Sequence, residues 1–518
     1  MEEDHGAQKP LELAIKRIVT TKQSVKSCDN NGDSTLLRMF LASSVSGAIH
    51  YGWGLQVSIL TPYAQLLGVS HMFASFICSS GPLAGILVNP MLNYYSDQCT
   101  MRMGRRRPFI LVGCLLICIS VMVIGFSSDI GNYLGDRKEK CGVFSVREGG
   151  SAMLIAGFFL LDLANNTMRE LTRAMMDDLS VGNKHGPQIG DYMFSQWGGM
   201  GIILGCAAGA TEKWSEWFPW LKTGACCGTC VNIKGAFFTS VVLIVISMTL
   251  TMTFADEKAI ETKCVVTSTI HSFSNPFNCL KNMSSSTTKL FIFTGVSWLA
   301  MYPFFIYNTD WMGREIYHGN PRGSMENLQM YTNGFRKGCI GMILCTIGRG
   351  VITFFIPKLC QKLTSIVVWS LSNFLLFLLM LAAVIISLLA TKGQREPSSN
   401  SLVEPDPTLE ALVLVIFALM GIPLAMLQIL PTALAFQIAV AEGGDNLGHI
   451  NGAINIAVVV PQMIAVLITG PIDNVYGSGG NTPGFLFSAA MAFLSWLLGL
   501  LFLSKKSVKA FTSTMPLL

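Results

Sequence analysis

Residues 158–180 read FFLLDLANNTMRELTRAMMDDLS. The stretch begins as membrane-grade apolar sequence and then places an Asp, two Arg and a Glu within about three helical turns. A carboxylate near the middle of a bilayer costs at least about 2.5–3.5 kcal/mol, and it is normally tolerated where it faces a bundle interior or a water-filled cavity, often on an ion or proton path. At 100° per residue, Asp162, Asn166, Arg169 and Arg173 lie within about 60° of one another, and Asp162 and Arg173 are about 16 Å apart along the axis. With the helix running inward from about Ser151, Asp162 falls roughly 17 Å deep, near the centre of a hydrocarbon core of about 30 Å. Low dielectric disfavours the charged form of a carboxyl group and a neighbouring guanidinium favours it. A group so balanced can change protonation within the working range, as a proton coupler must. The guanidinium of Arg173 offers fork-like donors suited to adjacent sugar hydroxyls or to a carboxylate; its position near the end of the span also fits a cytosolic anchor.

Other charged positions follow the same logic. Residues 308–323, NTDWMGREIYHGNPRG, hold Asp310, Arg314 and Glu315; Asp310 and Arg314 form an i, i+4 acid–base pair if helical, and a solvated group at a helix end if not. His71 opens an apolar run in LLGVSHMF, a surface position on spacing alone. Residues 94–109, YYSDQCTMRMGRRRPF, pair Asp97 with Arg105 or Arg106, a charge-assisted contact that breaks and re-forms at a cytosolic gate. Arg349 lies inside an apolar window with no evident partner. There is no nucleophile elbow, phosphate loop or metal cluster, so the chain does not read as an enzyme and implies no cofactor or metal.

The elements that must position these groups are transmembrane helices. Of 518 residues, 51% are hydrophobic and 13% charged, about half the charge of an ordinary soluble chain. Twelve windows are long and apolar enough to span a bilayer: about 37–61, 71–94, 108–126, 151–175, 190–211, 234–254, 288–308, 333–356, 365–390, 410–439, 446–470 and 484–503. A Ser- and Thr-rich stretch, 255–287, divides them into six and six. The expected organisation is a cytosolic tail (1–36), a first six-helix half (37–254), the central cytosolic loop, a second six-helix half (288–503) and a cytosolic tail (504–518). Basic residues concentrate in the N-terminal tail, the 2–3 loop and the tail after span 12, which puts both termini in the cytosol. No basic stripe interleaves with exposed aromatics, so nucleic acid is not an expected partner. By this topology Cys141 and the group Cys226, Cys227 and Cys230 face outward, where a structural disulfide is the expected chemistry; the pairing is left open.

The six-plus-six pattern with an acidic–Gly–Arg run between spans 2 and 3 resembles the major facilitator fold, an all-α architecture whose substrate site lies between two halves at mid-membrane. More specifically, YGWGLQVSILTPYAQLLGVSH (51–71), SDQCTMRMGRRRPFILVG (96–113), GFSSDIGNYLGD (125–136), LLDLANNT (160–167), NTDWMGREIY (308–317) and NIAVVVPQMI (455–464) resemble plant-type sucrose–proton symporters over most of residues 36–503. The outer stretch WFPWLKTGACC looks most like the larger, receptor-like branch of that family. The resemblance implies uptake of sucrose or a related glucoside driven by protons, at the plasma membrane rather than the vacuole. Asp162 would be the proton-linked carboxylate, Arg173 essential for substrate coupling, and His71 close to the sugar route. The chain departs from the family pattern at Met168–Thr172, at Asn308 where the family has Asp, at Gly444-Asp445-Asn446, and at His50 where the family has Gln. The altered segment 168–172 and the loss of an acid at Asn308 motivate an alternative: a sugar sensor or receptor on the same scaffold that transports weakly or not at all.

Overall fold

A computed structural model describes residues 32–88, 92, 95–96, 99–136, 147–180, 187–224, 228–255, 280, 283–393, 405–442, 447–475 and 480–502. Sixteen α-helices carry the architecture of these residues: α1 (Gly32–Ala42), α2 (Val45–Leu66), α3 (His71–Ile77), α4 (Ser80–Leu87), α5 (Arg107–Gly125), α6 (Ser127–Tyr133), α7 (Glu148–Ser180), α8 (Pro187–Ala210), α9 (Trp214–Trp217), α10 (Gly228–Phe254), α11 (Ser285–Trp311), α12 (Met325–Leu363), α13 (Ser365–Gly393), α14 (Pro407–Ala441), α15 (Leu447–Val475) and α16 (Thr482–Phe502). The described residues of each of the twelve apolar windows are mostly helical. Nine of the described helices are long and apolar enough to cross a membrane. The other three windows are the first, split between α1 and α2 at Ser43 and Ser44, the second, broken between α3 and α4 at Cys78 and Ser79, and the fifth, the glycine-rich α8. These are the windows where small and polar residues replace Leu and Ile.

Local chemistry sets the helix starts. Ser284 and Ser324 accept hydrogen bonds from the main-chain N–H groups of Thr287 (3.1 Å) and Asn327 (3.4 Å), and Asp406 accepts from Thr408 N–H (3.0 Å) with Pro407 in the first turn of α14. Each cap satisfies a donor that an isolated helix end leaves orphaned. In α2 and α8, a Cβ placed on Gly201 or Gly205 would collide with the carbonyl oxygens of Gly47 and Tyr51. Small residues are what allow this backbone-to-backbone approach within a bilayer.

Buried apolar residues between 39 and 255 form one core, and those between 290 and 492 form another, into which Ile202 and Cys206 of α8 also project. The two groups of helices meet where α2 lies on α11, α8 on α12, and α3 and α4 on α15.

Candidate functional site

Asp162, in the middle of α7, is 4% exposed. Its carboxylate accepts hydrogen bonds from Gln56 Nε2 of α2 and Ser80 Oγ at the start of α4. Gly81 lies so close that a Cβ there would be 3.5 Å from Asp162 Oδ2. Asn166 Nδ2 donates to the Asp162 main-chain oxygen (2.9 Å). Among the described residues Asp162 is in no ion pair. Arg169, one of the two arginines on its stripe, closes on its neighbour Glu170 (3.1 Å), and Arg173 is exposed. The acid is therefore held by neutral donors from two other helices, not by the cations of its own helix. Tyr302 of α11 borders the same region, donating from its hydroxyl to the Cys78 carbonyl (2.9 Å).

The second charged group is no solvated loop. α11 continues through one turn of π-helix, Met312–Ile316, a local widening often found at functional positions. Asp310 is fully buried. It accepts from Arg314 Nε (3.1 Å), Tyr331 Oη (2.6 Å), Gln65 Nε2 (3.2 Å) and Asn481 Nδ2 (3.1 Å). Arg314 Nη2 returns to Gln65 Oε1. His71 brings Nδ1 to 3.6 Å from Asp310 and stacks on Tyr307 with ring centroids 5.2 Å apart, so it is packed between the two groups of helices, not on the surface. Glu315 accepts from the main-chain N–H groups of Asn481 and Thr482 and from Thr482 Oγ1 (2.8 Å), which makes it the cap of α16. Asn308 is buried, donates to Phe305 O (2.9 Å), and leaves its Oδ1 without a hydrogen bond.

Asp310, Arg314, Gln65 and His71 tie α2 and α3 to α11. Thr61 Oγ1 with Ile306 O (3.1 Å), Thr309 Oγ1 with Ser58 O (2.8 Å), Arg322 with the Gly68 and Val69 carbonyls, and the Arg336–Glu212 ion pair extend the same seam. These contacts lie toward the end of the bundle opposite residues 32 and 502.

At the other end, Arg105 and Arg106 both reach Asp178 of α7 (2.5 and 3.3 Å). Asp97, their partner expected from sequence, lies outside the described residues, as do Cys141, Cys226, Cys227 and the Asp445–Asn446 departure. Cys230 is disulfide-bonded. Among the described residues no group of His, Cys, Asp or Glu could hold a metal ion.

Sequence reasoning missed Gln56, Ser80, Gln65, Tyr331 and Asn481, which hold the two acids. Glutamines 56 and 65 in an apolar window carried the available signal, because a side-chain amide inside a span needs a partner on another helix. Asp178 stood in the stretch first singled out, at its last turn.

Between the two groups of helices lies a small cavity whose walls include Trp53 and Val57 on α2, Thr346 and Arg349 on α12, and Gln428 on α14.

The chain matches the Major Facilitator Superfamily over residues 42–466. It is 50% identical over 479 residues to the sucrose transport protein SUT5 of Oryza sativa subsp. indica, covering 92% of this chain and 89% of that one. It is 36% identical over 523 residues to the sucrose transport protein SUC3 of Arabidopsis thaliana, covering 90% and 87%. Among solved structures it resembles the nucleoside transporter NupG (TM-score 0.57, 12% identity, covering 92% of this chain and 99% of that one) and a D-xylose-proton symporter (TM-score 0.53, 13% identity, 92% and 99%).

Proposed function

Because the chain belongs to the plant sucrose transport proteins of the Major Facilitator Superfamily, we propose that it carries sucrose, or a closely related glucoside, across the plasma membrane together with protons. Residues 37–254 and 288–503 would be the two moving halves, both termini would be cytosolic, and the seam around Asp310 would be the extracellular gate. On this assignment the protein is closed to the outside.

The observation that carries the proton-coupled reading is the setting of Asp162. A carboxyl group buried at mid-span, held by an amide and a hydroxyl and, among the described residues, paired with no cation, has no fixed charge beside it to keep it ionised. It can take a proton while the outer gate is open and release it inward after the halves have rocked. Both of its donors come from other helices, so movement of α2 or α4 against α7 changes what holds the acid. Each proton entering contributes about 2.3 kcal/mol per 100 mV and about 1.4 kcal/mol per pH unit. One titrating acid is therefore enough to drive a large sugar accumulation.

Currents in oocytes expressing the full chain, with sucrose, maltose and aryl glucosides at two external pH values, test this reading. Sucrose should evoke inward current that grows as external pH falls. Asp162→Asn should reach the membrane in normal amount yet lose uphill uptake; acid-dependent accumulation by that variant would sink the assignment of Asp162.

A further inference from the structure

We propose that Arg349, Gln428 and Thr346 form the wall of the central cavity that recognises the hydroxyls of the sugar, with Trp53 opposite them as its apolar face. This inference rests on the sucrose-transport reading above and gives that reading a binding site.

Arg349 lies deep in α12, far from either helix end, where an isolated cation is costly and usually functional. Among the described residues it has no carboxylate partner. Its Nη1 donates to Gln428 Oε1 (3.1 Å), which satisfies one of five guanidinium N–H groups. With Oε1 of Gln428 so engaged, its amide N–H groups are the part left to donate. Thr346 gives its hydroxyl proton to Met342 O (2.9 Å), so toward the cavity it can only accept. These three side chains together carry a fork of donors, an amide donor and one acceptor. That pattern suits a neutral, hydroxyl-rich solute whose neighbouring hydroxyls both accept and donate.

The facing wall is apolar, from Trp53 and Val57. The Trp53 ring is met edge-on by His50 (centroids 6.0 Å apart, planes at 77°), whose Nδ1 donates to Ser46 O (2.8 Å). His50, a departure from the family pattern, is thus one of the rings packed against the indole. A broad indole set against a pyranose ring covers its C–H face while the polar wall takes the hydroxyls. The backbone on the polar side is held firmly: a Cβ on Gly421 would collide with the Cys345 carbonyl and the Arg349 N–H. A site whose supports are locked in this way presents its donors without reorganisation. Trp53 also stands three residues from Gln56, the donor to Asp162, so both are on one side of α2 within a single turn. A sugar seated against Trp53 presses on the element that holds the proton-carrying acid.

The test measures uptake of radiolabelled sucrose by the full-length protein in oocytes, with competition by a series of sucroses each lacking one hydroxyl. Arg349→Gln and Gln428→Leu should each raise the sucrose KM by about tenfold or more at unchanged surface amount, as expected for lost hydrogen bonds to a polar substrate. At least one deoxysucrose that competes poorly against the wild type should compete as well as sucrose does against the variant. A structural role for Arg349 would not move that profile. Should Arg349→Gln fail to reach the surface, Arg349→Lys, which keeps the charge and loses the fork, and Trp53→Phe give the same readout. Variants at the surface with wild-type KM and an unchanged deoxysucrose profile overturn the proposal while leaving sucrose transport standing. A wild-type protein that takes up no sucrose overturns both.

Discussion

Gln65 is the neutral side chain that bridges the charged pair on α11: its Nε2 donates to Asp310 (3.2 Å) and its Oε1 accepts from Arg314. Gln65→Leu keeps the volume and deletes both bonds, leaving a fully buried acid one donor short and its arginine one acceptor short. A hydrogen bond to a charged group contributes about 1.5–3 kcal/mol, and a buried polar group left unpaired costs about 1–3 kcal/mol. Water takes over part of both bonds once the halves part, so we expect the closed state to lose about 1–3 kcal/mol relative to the open one, a shift of about 5–150-fold in their ratio. A cysteine introduced at Val57, on the cavity wall, reports that ratio through its rate of labelling by a membrane-impermeant thiol reagent applied outside. Labelling of Val57→Cys should be slow with Gln65 present and faster by that factor with Gln65→Leu, and the Asp310→Asn variant should move the same way. Equal labelling rates with and without Gln65 would refute the assignment of this seam as the outer gate.

Other outcomes follow from the same geometry. Glu315→Ala removes the acceptor for two main-chain N–H groups at the start of α16 and should lower stability by about 0.5–2 kcal/mol, the usual loss for a helix cap, read as a lower melting temperature in detergent. Asp178→Asn removes the carboxylate charge that Arg105 and Arg106 reach, so trypsin should cut the 2–3 loop of inside-out vesicles faster; an unchanged rate would show that these ion pairs do not order the loop. Tyr331→Phe deletes the shortest neutral donor to Asp310 (2.6 Å) and should slow sucrose uptake without loss of surface protein, measured by initial rates.

Hydropathy made the helices legible because a bilayer demands long apolar runs whatever the tertiary contacts. Asp162 was legible for the same reason turned around, since a charge inside such a run needs a cause. Its partners were not, because Gln56 and Ser80 lie 106 and 82 residues away and come from helices whose rotation no single periodicity fixes. Asp310 stood at the end of an apolar window and could be read as a loop residue; α11 runs on past it to Trp311 and a π-turn, and Gln65, Tyr331 and Asn481 from elsewhere in the bundle enclose it. The arginines of the 2–3 loop pair with Asp178 on the neighbouring helix α7, a partner that sequence proximity to Asp97 hid. Arg349 had no partner in sequence because its contact, Gln428, is 79 residues away.

The glycines of α8 also grade along their helix. A Cβ at Gly201 or Gly205 would strike backbone atoms of α2, whereas at Gly209 it would only touch the side chains of Ile59 and Ser58, no nearer than 3.4 Å. The two helices are therefore riveted along one end of their contact and merely neighbours at the other. An alanine scan of this face should be intolerant at 201 and 205 and permissive at 209. The rivet gives α2 a fixed pivot, and the loose end, which carries Thr61 and Gln65, is the part able to swing toward or away from α11 without unfolding its partner.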